Sequence, residues 1–153
     1  MFRVIDHTAD IGLLIKGKNK EELFAEAARG MFSIIAGGRL NPHLPPLSHP
    51  PDGSPSLRGR IEKGGIRIEV EGLTLEELLV AFLSELLYLA EKEKAIFNRF
   101  KVEIKKMKNG FYLQGRIRKN SQIPKREVKA ATYHNLKVEK KGNFWQTTII
   151  LDV

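Results

Sequence analysis

The sequence predicts an α+β fold in which two helices pack on one face of a mixed, mainly antiparallel β-sheet. Two long segments repeat apolar residues at helical spacing, and shorter segments alternate apolar and polar residues as strands do. Their order is β, β, α, β, α and then four strands, which is typical of the α+β class. With 153 residues, 42% of them hydrophobic, the chain is long enough for one core and short for two. We therefore expect a single two-layer domain over residues 1–153.

Both helices are predicted in the N-terminal part of the chain. The stretches "FRVI" and "IGLLI" predict two strands because β-branched and bulky residues predominate in them. The first helix follows Asn19 as its N-cap, and Glu22 completes a capping box. After the alternating strand "GIRIEVEG", Thr74 and Glu77 repeat that signal before a second helix. Apolar residues surround more than half of this second helix, so we expect it to be the more buried one.

A proline-rich loop is predicted at about residues 39–60. This stretch contains all but one of the 7 prolines, so neither a helix nor a central strand can persist there. His43 and His49 lie within it, and isolated histidines in such a loop are more often solvated than bound to a ligand.

The C-terminal part of the chain is predicted to be all strand. Apolar and polar residues alternate on both sides of Asn109-Gly110, which predicts a hairpin with strands near 100–107 and 111–118. Two further alternating runs are joined near Gly142. No internal repeat is apparent in the sequence.

The composition limits the classes of function. A net charge of +8 favours an anionic partner, although dense charge of both signs without cysteine is also typical of heat-adapted proteins. The absence of cysteine excludes a disulfide framework, a thiolate zinc site and a cysteine nucleophile. No segment has the length of a membrane span or the pattern of a signal peptide. The sequence therefore predicts a cytoplasmic protein with no membrane partner.

Acidic residues near both ends of the chain form the first candidate site. The stretch "DHTADIG" contains Asp6 and Asp10, and Asp152 precedes Val153 with its C-terminal carboxylate. If the strands at the two ends pair, Asp10, Asp152 and the terminal carboxylate converge and require a cation. Oxygen donors without cysteine favour calcium, magnesium or manganese over zinc. The simpler alternative is that acids near chain ends are solvated.

The stretch "EVKAATYHN" holds a second polar cluster. Lys129 within a small apolar run indicates a sheet edge or a pocket, and the edge is the simpler interpretation. Lys129 and His134 share no face of a regular strand, so only a bulge or a strand end brings them together. His7 alone is more typical of a structural histidine than of a general base. The common phosphate-loop, dinucleotide, nucleophile-elbow and zinc-helix motifs are absent, which argues against an ordinary enzyme.

Four stretches together resemble the archease family. They are "DHTADIG", "LEELLVAFLSELLYL", "VKAATYHNLKVEK" and the closing "LDV", in the family's order and across nearly the whole chain. The resemblance implies a similar α+β fold. It also implies a metal site, usually described with calcium, formed by Asp10, Asp152 and Val153, the last through its terminal oxygens.

The resemblance also implies roles for residues outside the metal set. Lys129 falls on the family's functionally important lysine, and His7 and His134 fall on polar motif positions, while Asp6 has a supporting place. No catalytic residue is implied. The loop at 39–60 is longer than expected of an archease and matches no family motif, which leaves the partner contacts near it undefined.

The function implied by the resemblance is activation of another enzyme. Archeases assist the tRNA-splicing RNA ligase, which joins tRNA halves bearing a 2′,3′-cyclic phosphate or a 3′-phosphate. They promote guanylylation of the ligase's active-site histidine by GTP and allow multiple turnover. The expected partner is this ligase, with tRNA as a further candidate. The alternative is a chaperone or RNA-interaction protein for a tRNA-modifying enzyme such as a tRNA methyltransferase. A metal-dependent hydrolase would need an acid or base that the sequence does not clearly supply.

Overall fold

The strands and helices follow the predicted order along the chain, except that five strands rather than four come after the second helix. The computed structural model describes residues 1–6, 10–38 and 65–153, so the predicted loop at 39–60 lies outside the described residues. No helix in these ranges is long and apolar enough to cross a membrane. The elements are β1 (Phe2–Asp6), β2 (Asp10–Gly17), α1 (Lys20–Ile35), β3 (Ile66–Gly72), α2 (Leu75–Glu93), β4 (Phe97–Met107), β5 (Gly110–Lys119), β6 (Ala130–Thr132), β7 (Glu139–Lys141) and β8 (Phe144–Asp152).

The described strands form two antiparallel sheets. The first sheet has the order β1-β2-β8-β6, and β7 also pairs with β8. The second sheet has the order β3-β5-β4. The α+β class is confirmed, while the expected single sheet is divided in two. Sequence alternation indicates where strands lie but not which distant strands pair, because that choice depends on contacts between remote segments.

The two helices differ in burial, and the difference is opposite to the prediction. Helix α1 contacts β2 of the first sheet and β4 of the second, and 11 of its 16 residues are buried. Helix α2 packs mainly on β3, and 6 of its 19 residues are buried. The expectation that the second helix is the more buried one is therefore wrong. Apolar residues around α2 do not bury it fully, since its C-terminal part borders a groove.

Both predicted capping boxes are present. The Glu22 amide donates to Asn19 Oδ1 at 2.7 Å, and the Glu77 amide donates to Thr74 Oγ1 at 3.1 Å. Each glutamate carboxylate accepts in return from the amide of the residue just before the cap. The Lys18 amide donates to Glu22 at 3.3 Å, and the Leu73 amide donates to Glu77 at 2.8 Å. These bonds satisfy amides that the first helical turn leaves without a partner.

The two strand-turn-helix units, β2–α1 and β3–α2, repeat one local structure. Their turns read "GKNKEELF" and "GLTLEELL". A Cβ at Gly17 would meet the Leu23 amide nitrogen at 2.5 Å, and a Cβ at Gly72 would meet the Leu78 amide nitrogen at the same distance. Each glycine therefore lets a strand end directly against the start of its helix. The short internal repeat contradicts the expectation that the sequence has none.

The second residue of each helix ties its unit to a distant segment. Glu21 Oε2 accepts from the Ile104 amide in β4 at 3.2 Å, and Glu76 Oε2 accepts from the Val138 amide just before β7 at 2.7 Å. Helix α1 is thereby joined to the second sheet and α2 to the segment entering the first. Each bond therefore links one strand-turn-helix unit to the sheet that does not contain its own strand.

Candidate functional site

Asp10 and Asp152 lie directly opposite each other at one end of the first sheet. Asp10 begins β2, Asp152 ends β8, and the antiparallel register pairs them. Opposed residues project from the same face, with Cβ atoms about 4.5–5.5 Å apart. The adjacent pair, Ile11 and Leu151, is buried in the core, so the two acids occupy the other face. The expectation that strands from the two ends of the chain lie together is confirmed.

This acid pair carries negative charge that the described residues do not compensate. Both side chains are half-buried, and none of the ion pairs formed by the described residues includes either of them. Like charges placed opposite each other on neighbouring strands are destabilising. A cation shared by both carboxylates would remove that cost, and carboxylate oxygens are the donors that calcium prefers. The chemistry of the donor set therefore fits a hard divalent cation.

The third predicted donor is the main-chain terminus rather than a side chain. Val153 is half-buried and follows Asp152 directly. In the described ranges, no group of three or more His, Cys, Asp or Glu side chains is arranged to hold a metal ion. His7 lies outside the described residues, and the side chain of Asp6 is not described either. The metal set of Asp10, Asp152 and Val153 stays a prediction.

The backbone of Lys129 is hydrogen-bonded to Asp152, at the end of the first sheet that carries the acid pair. Its amide donates to the carbonyl oxygen of Asp152 at 2.7 Å, one residue before Ala130 pairs with Asp152 in β6. The side chain is exposed, and β6 is the last strand in the order of the first sheet. Lys129 also lines a groove, so the edge and pocket interpretations are both satisfied.

The groove has a volume of about 690 Å³ and runs between the C-terminal part of α2 and residues 124–130. The carbonyl oxygen of Ile35, a residue of its lining, accepts from the amides of Lys125 at 2.8 Å and Arg126 at 3.0 Å. Sequence reasoning missed the groove because its walls come from separate segments. Its apolar lining includes Ile35, Leu87, Ala90 and Val128, and its charged lining comprises Glu91, Lys94, Lys125, Arg126, Glu127 and Lys129.

His134 lies at the other end of β6 from Lys129. It lies two residues after Thr132, whose hydroxyl donates to the carbonyl oxygen of Ile150 at 3.0 Å and accepts from the His134 amide at 3.4 Å. The imidazole is exposed, with Nε2 3.4 Å from Asn135 Nδ2. The three residues of β6 span about 10 Å, so the structure does not bring Lys129 and His134 together.

Comparison with known proteins gives one consistent family. The family model for the Archease protein family (MTH1598/TM1083) matches residues 2–153. A curated relative, protein archease of Pyrococcus furiosus, is 34% identical over 154 residues, covering 97% of this chain and 95% of the relative. The match therefore includes the positions of both acids and of Lys129.

Two solved structures have similar folds. The solution structure of Methanobacterium thermoautotrophicum protein 1598 superposes with a TM-score of 0.75 at 25% identity, covering 99% of this chain and 98% of that one. The crystal structure of an archease from Thermotoga maritima, described as a possible chaperone, gives a TM-score of 0.59 at 25% identity. It covers 100% of this chain and 98% of the other. The arrangement of two helices and two antiparallel sheets is thus shared with solved archease structures.

Proposed function

The chain belongs to the archease family, and from that premise we propose that it activates the tRNA-splicing RNA ligase as a metal-binding accessory protein. The ligase performs the covalent chemistry, in which GTP guanylylates its active-site histidine, and this protein promotes that step and multiple turnover. The observation that supports the proposal is the Asp10–Asp152 pair, joined through a backbone hydrogen bond to Lys129. The family is one of accessory proteins rather than enzymes, and the common catalytic motifs are absent from this chain.

In this proposal Asp10, Asp152 and the C-terminal carboxylate of Val153 hold a divalent cation, with calcium the first candidate. A bound cation supplies positive charge that can neutralise triphosphate oxygens. Asp10 and Asp152 fix its place, because β2 pairs with β8 along its whole length and both carboxylates lie on one face. Since the pair is only half-buried, its open side remains available to a partner surface.

Lys129 is proposed to supply a second positive charge at the same corner. Its backbone is fixed by the bond to Asp152, while its side chain is exposed. An ammonium group on a flexible stem acts as a mobile point charge on phosphate oxygens. We propose supporting roles for His7, three residues before Asp10 in the sequence, and for His134 in the turn after β6.

A single-turnover guanylylation assay with purified ligase and GTP tests the proposal. Asp10→Asn should slow the activated rate at least about tenfold, since changes at a metal site typically cost that much. The matched control is Glu71→Gln, which removes the same charge from an exposed position in the second sheet. Equal activation by both variants would refute a role for the acid pair. Full activity of both variants, together with strong dependence on salt, would favour the RNA-interaction alternative.

Calcium binding can be measured without the ligase. Calcium should raise the melting temperature, because a ligand bound only by the folded state stabilises it, by about 2.7 kcal/mol at a hundredfold excess over Kd. Asp10→Asn and Asp152→Asn should lose most of this shift, and parallel titrations with magnesium and manganese rank the cations. If calorimetry shows equal calcium binding by wild type and both variants, the site lies elsewhere.

The terminal carboxylate and Lys129 each need a separate variant. A peptide fused after Val153 converts the terminal carboxylate to an amide and should impair activation, as should deletion of Asp152 and Val153. Val153→Ala keeps the carboxylate and should remain active. Lys129→Ala should fold normally and activate poorly, whereas Lys125→Ala, which changes another cation lining the groove, should activate normally. Full activity of the fused protein would remove Val153 from the metal set.

A further inference from the structure

The groove between the last turns of α2 and residues 124–130 has walls that are fixed by the fold. The segment that forms one wall is hydrogen-bonded near both of its ends. The Lys125 amide donates to the Ile35 carbonyl oxygen at 2.8 Å, and the Lys129 amide donates to the Asp152 carbonyl oxygen at 2.7 Å. The facing wall belongs to a regular helix. A site whose walls are already ordered loses little conformational entropy when it binds a partner.

The groove contains apolar surface that the described residues leave partly uncovered. Leu87 and Ala90 in its lining are half-buried, and Tyr88 beside them is 58% exposed. A single exposed tyrosine needs no explanation, because scattered apolar residues are normal on protein surfaces. Here the tyrosine lines a concave apolar site, and aromatic side chains in such sites commonly contribute most of the binding energy of an interface. The groove therefore has the character of a binding surface.

The charged residues that line the groove carry a net positive charge. Four cations and two acids leave a net charge of +2, and all six side chains are exposed. None of the ion pairs within the described ranges includes any of them. The six residues are Lys94, Lys125, Arg126, Lys129, Glu91 and Glu127. An anionic group can therefore approach these cations from solvent without the loss of an internal ion pair.

We propose that this groove binds a linear peptide segment of a partner protein, in which acidic and apolar side chains are combined. The apolar side chains of such a segment are removed from water against Leu87, Ala90 and Tyr88. Its carboxylates meet the cations of the lining, and Arg126 offers them bidentate geometry. A volume of about 690 Å³ lies within the range of ligand sites, which suits a few residues of extended chain rather than a folded domain.

A nucleic-acid backbone fits the same lining less well. Its phosphate oxygens would come close to Glu91 and Glu127, and it offers no apolar groups to the half-buried Leu87 and Ala90. A peptide, in contrast, carries main-chain amides, and carboxylates are acceptors that can bind such donors. Both the acids and the apolar residues of the lining thus favour a peptide. This inference rests on the groove alone and does not depend on the proposed activation of a ligase.

Fluorescence anisotropy with three labelled hexapeptides tests the proposal on the full chain. Each peptide has two leucines, and its other four positions are all glutamate, all glutamine or all lysine. The glutamate peptide should bind in a saturable manner, the glutamine peptide more weakly and the lysine peptide most weakly. Added salt should reduce the differences among the three, because it screens the interactions of exposed charges.

One pair of variants tests the aromatic contact. Tyr88→Ala should weaken binding of the glutamate peptide about tenfold, as truncation of a central interface residue commonly does. Tyr133→Ala is the matched control, since Tyr133 is 56% exposed and does not line the groove. The control should keep the wild-type affinity.

A second pair of variants tests the charges. Lys94→Gln/Arg126→Gln should weaken the glutamate peptide about fivefold, as expected for two exposed ion pairs, and leave the glutamine peptide unchanged. Lys92→Gln/Lys140→Gln removes the same charge from exposed positions that do not line the groove, and should keep the wild-type affinity. Melting curves of all the variants show whether each one is folded.

Four results would overturn the proposal. The first is the absence of saturable binding by the glutamate peptide, and the second is equal weakening by the test and control variants of either pair. The third is displacement of the peptide by polyuridylate at a lower concentration of charge than by unlabelled glutamate peptide, which would assign the groove to nucleic acid. The fourth is self-association of the protein that Tyr88→Ala abolishes, which would assign the groove to a second copy of the chain.

Discussion

The two strand-turn-helix units begin alike and end differently. Each has a glycine against the helix start, a capping box and a glutamate that accepts a distant backbone amide. Late in the helices the correspondence fails, since Ser33 is 4% exposed and Tyr88, at the equivalent position, is 58% exposed. Helix α1 has a sheet on each side, whereas the last turns of α2 border the groove. A shared local motif thus specifies where a helix starts, and the neighbouring sheets decide how far it is buried.

The largest expected difference in stability between equivalent substitutions in the two units is at the later turns of the helices. The Phe32 ring is fully buried, with centroids 5.6 Å from Phe97 and 5.8 Å from Phe100, whereas Leu87 at the equivalent position of α2 is half-buried. Phe32→Ala should lower the free energy of unfolding by about 3–5 kcal/mol and Leu87→Ala by about 1–2 kcal/mol. Urea unfolding measures both. Equal losses would mean that the groove is closed in solution.

The glycines before the helices should be equally sensitive to substitution. A Cβ at Gly17 or Gly72 would lie 2.5 Å from a backbone nitrogen, so the helix start must shift. Gly17→Ala and Gly72→Ala should each cost about 1–3 kcal/mol, by overpacking. Gly12→Ala is the control, because its Cβ would meet only ordinary contacts of 3.4 Å or more. A large difference between the first two variants would break the equivalence of the units.

Glu21 and Glu76, which accept from distant backbone amides, should each contribute about as much to stability as one hydrogen bond. Glu21→Gln and Glu76→Gln replace a charged acceptor by a neutral one, and each should reduce stability by about 1 kcal/mol. The double variant shows whether the bonds act independently, since distant sites usually add. Strong coupling in this double-mutant cycle would indicate that the two sheets separate as one cooperative event.

The smallest expected effect is a pH dependence of stability that arises on the exposed face of β3, the strand before α2. The hydrogen bond to Glu69 raises the pKa of the Tyr112 hydroxyl above its ordinary value, and hydrogen bonds to Tyr112 and then Arg67 lower the pKa of Glu69. The folded state therefore holds the Tyr112 proton more tightly, so this contribution to stability is present below pH 10 and is lost as pH rises through the raised pKa. The Glu69 contribution is lost as pH falls through its lowered pKa.

The Glu69→Gln variant tests whether Glu69 raises the pKa of Tyr112. It should return the pKa of Tyr112 towards its ordinary value, as followed by the ultraviolet absorbance of the tyrosinate. Glu139→Gln, which removes the same charge from an exposed position in the first sheet, should leave the Tyr112 titration unchanged. The same titration in both variants would mean that Glu69 and Tyr112 are not bonded in solution.

Local features of the fold were predictable from sequence, and long-range ones were not. Both capping boxes and the β4–β5 hairpin follow from short stretches whose chemistry acts within a few residues. The repeat of Gly17 at Gly72 was also present in the sequence, but only the steric contacts show its importance. The division into two sheets and the burial of α1 depend on pairings between distant segments.

In the candidate site, too, some features were predictable from the sequence and others were not. The sequence suggested that Asp10 and Asp152 converge, and the β2–β8 register places them opposite each other. It did not predict that the backbone of Lys129 binds Asp152, because residue types alone do not determine main-chain contacts. The exposed, separate position of His134 follows from the turn after β6, where Asn135 adopts a left-handed conformation with φ of 50°.

The pairing of β2 with β8 also determines when the acid pair can exist. During synthesis, β3, α2, β4 and β5 are all complete before the ribosome has made β8, so the second sheet can close first. Pairing between remote segments is slow, because the intervening chain must lose entropy before the contacts form. Asp10 therefore has no opposing carboxylate until β8, which comes last in the element order, has paired with β2. The acid pair thus exists only after β2 and β8 have paired, and a partner that requires both acids would bind only chains in which that pairing has formed.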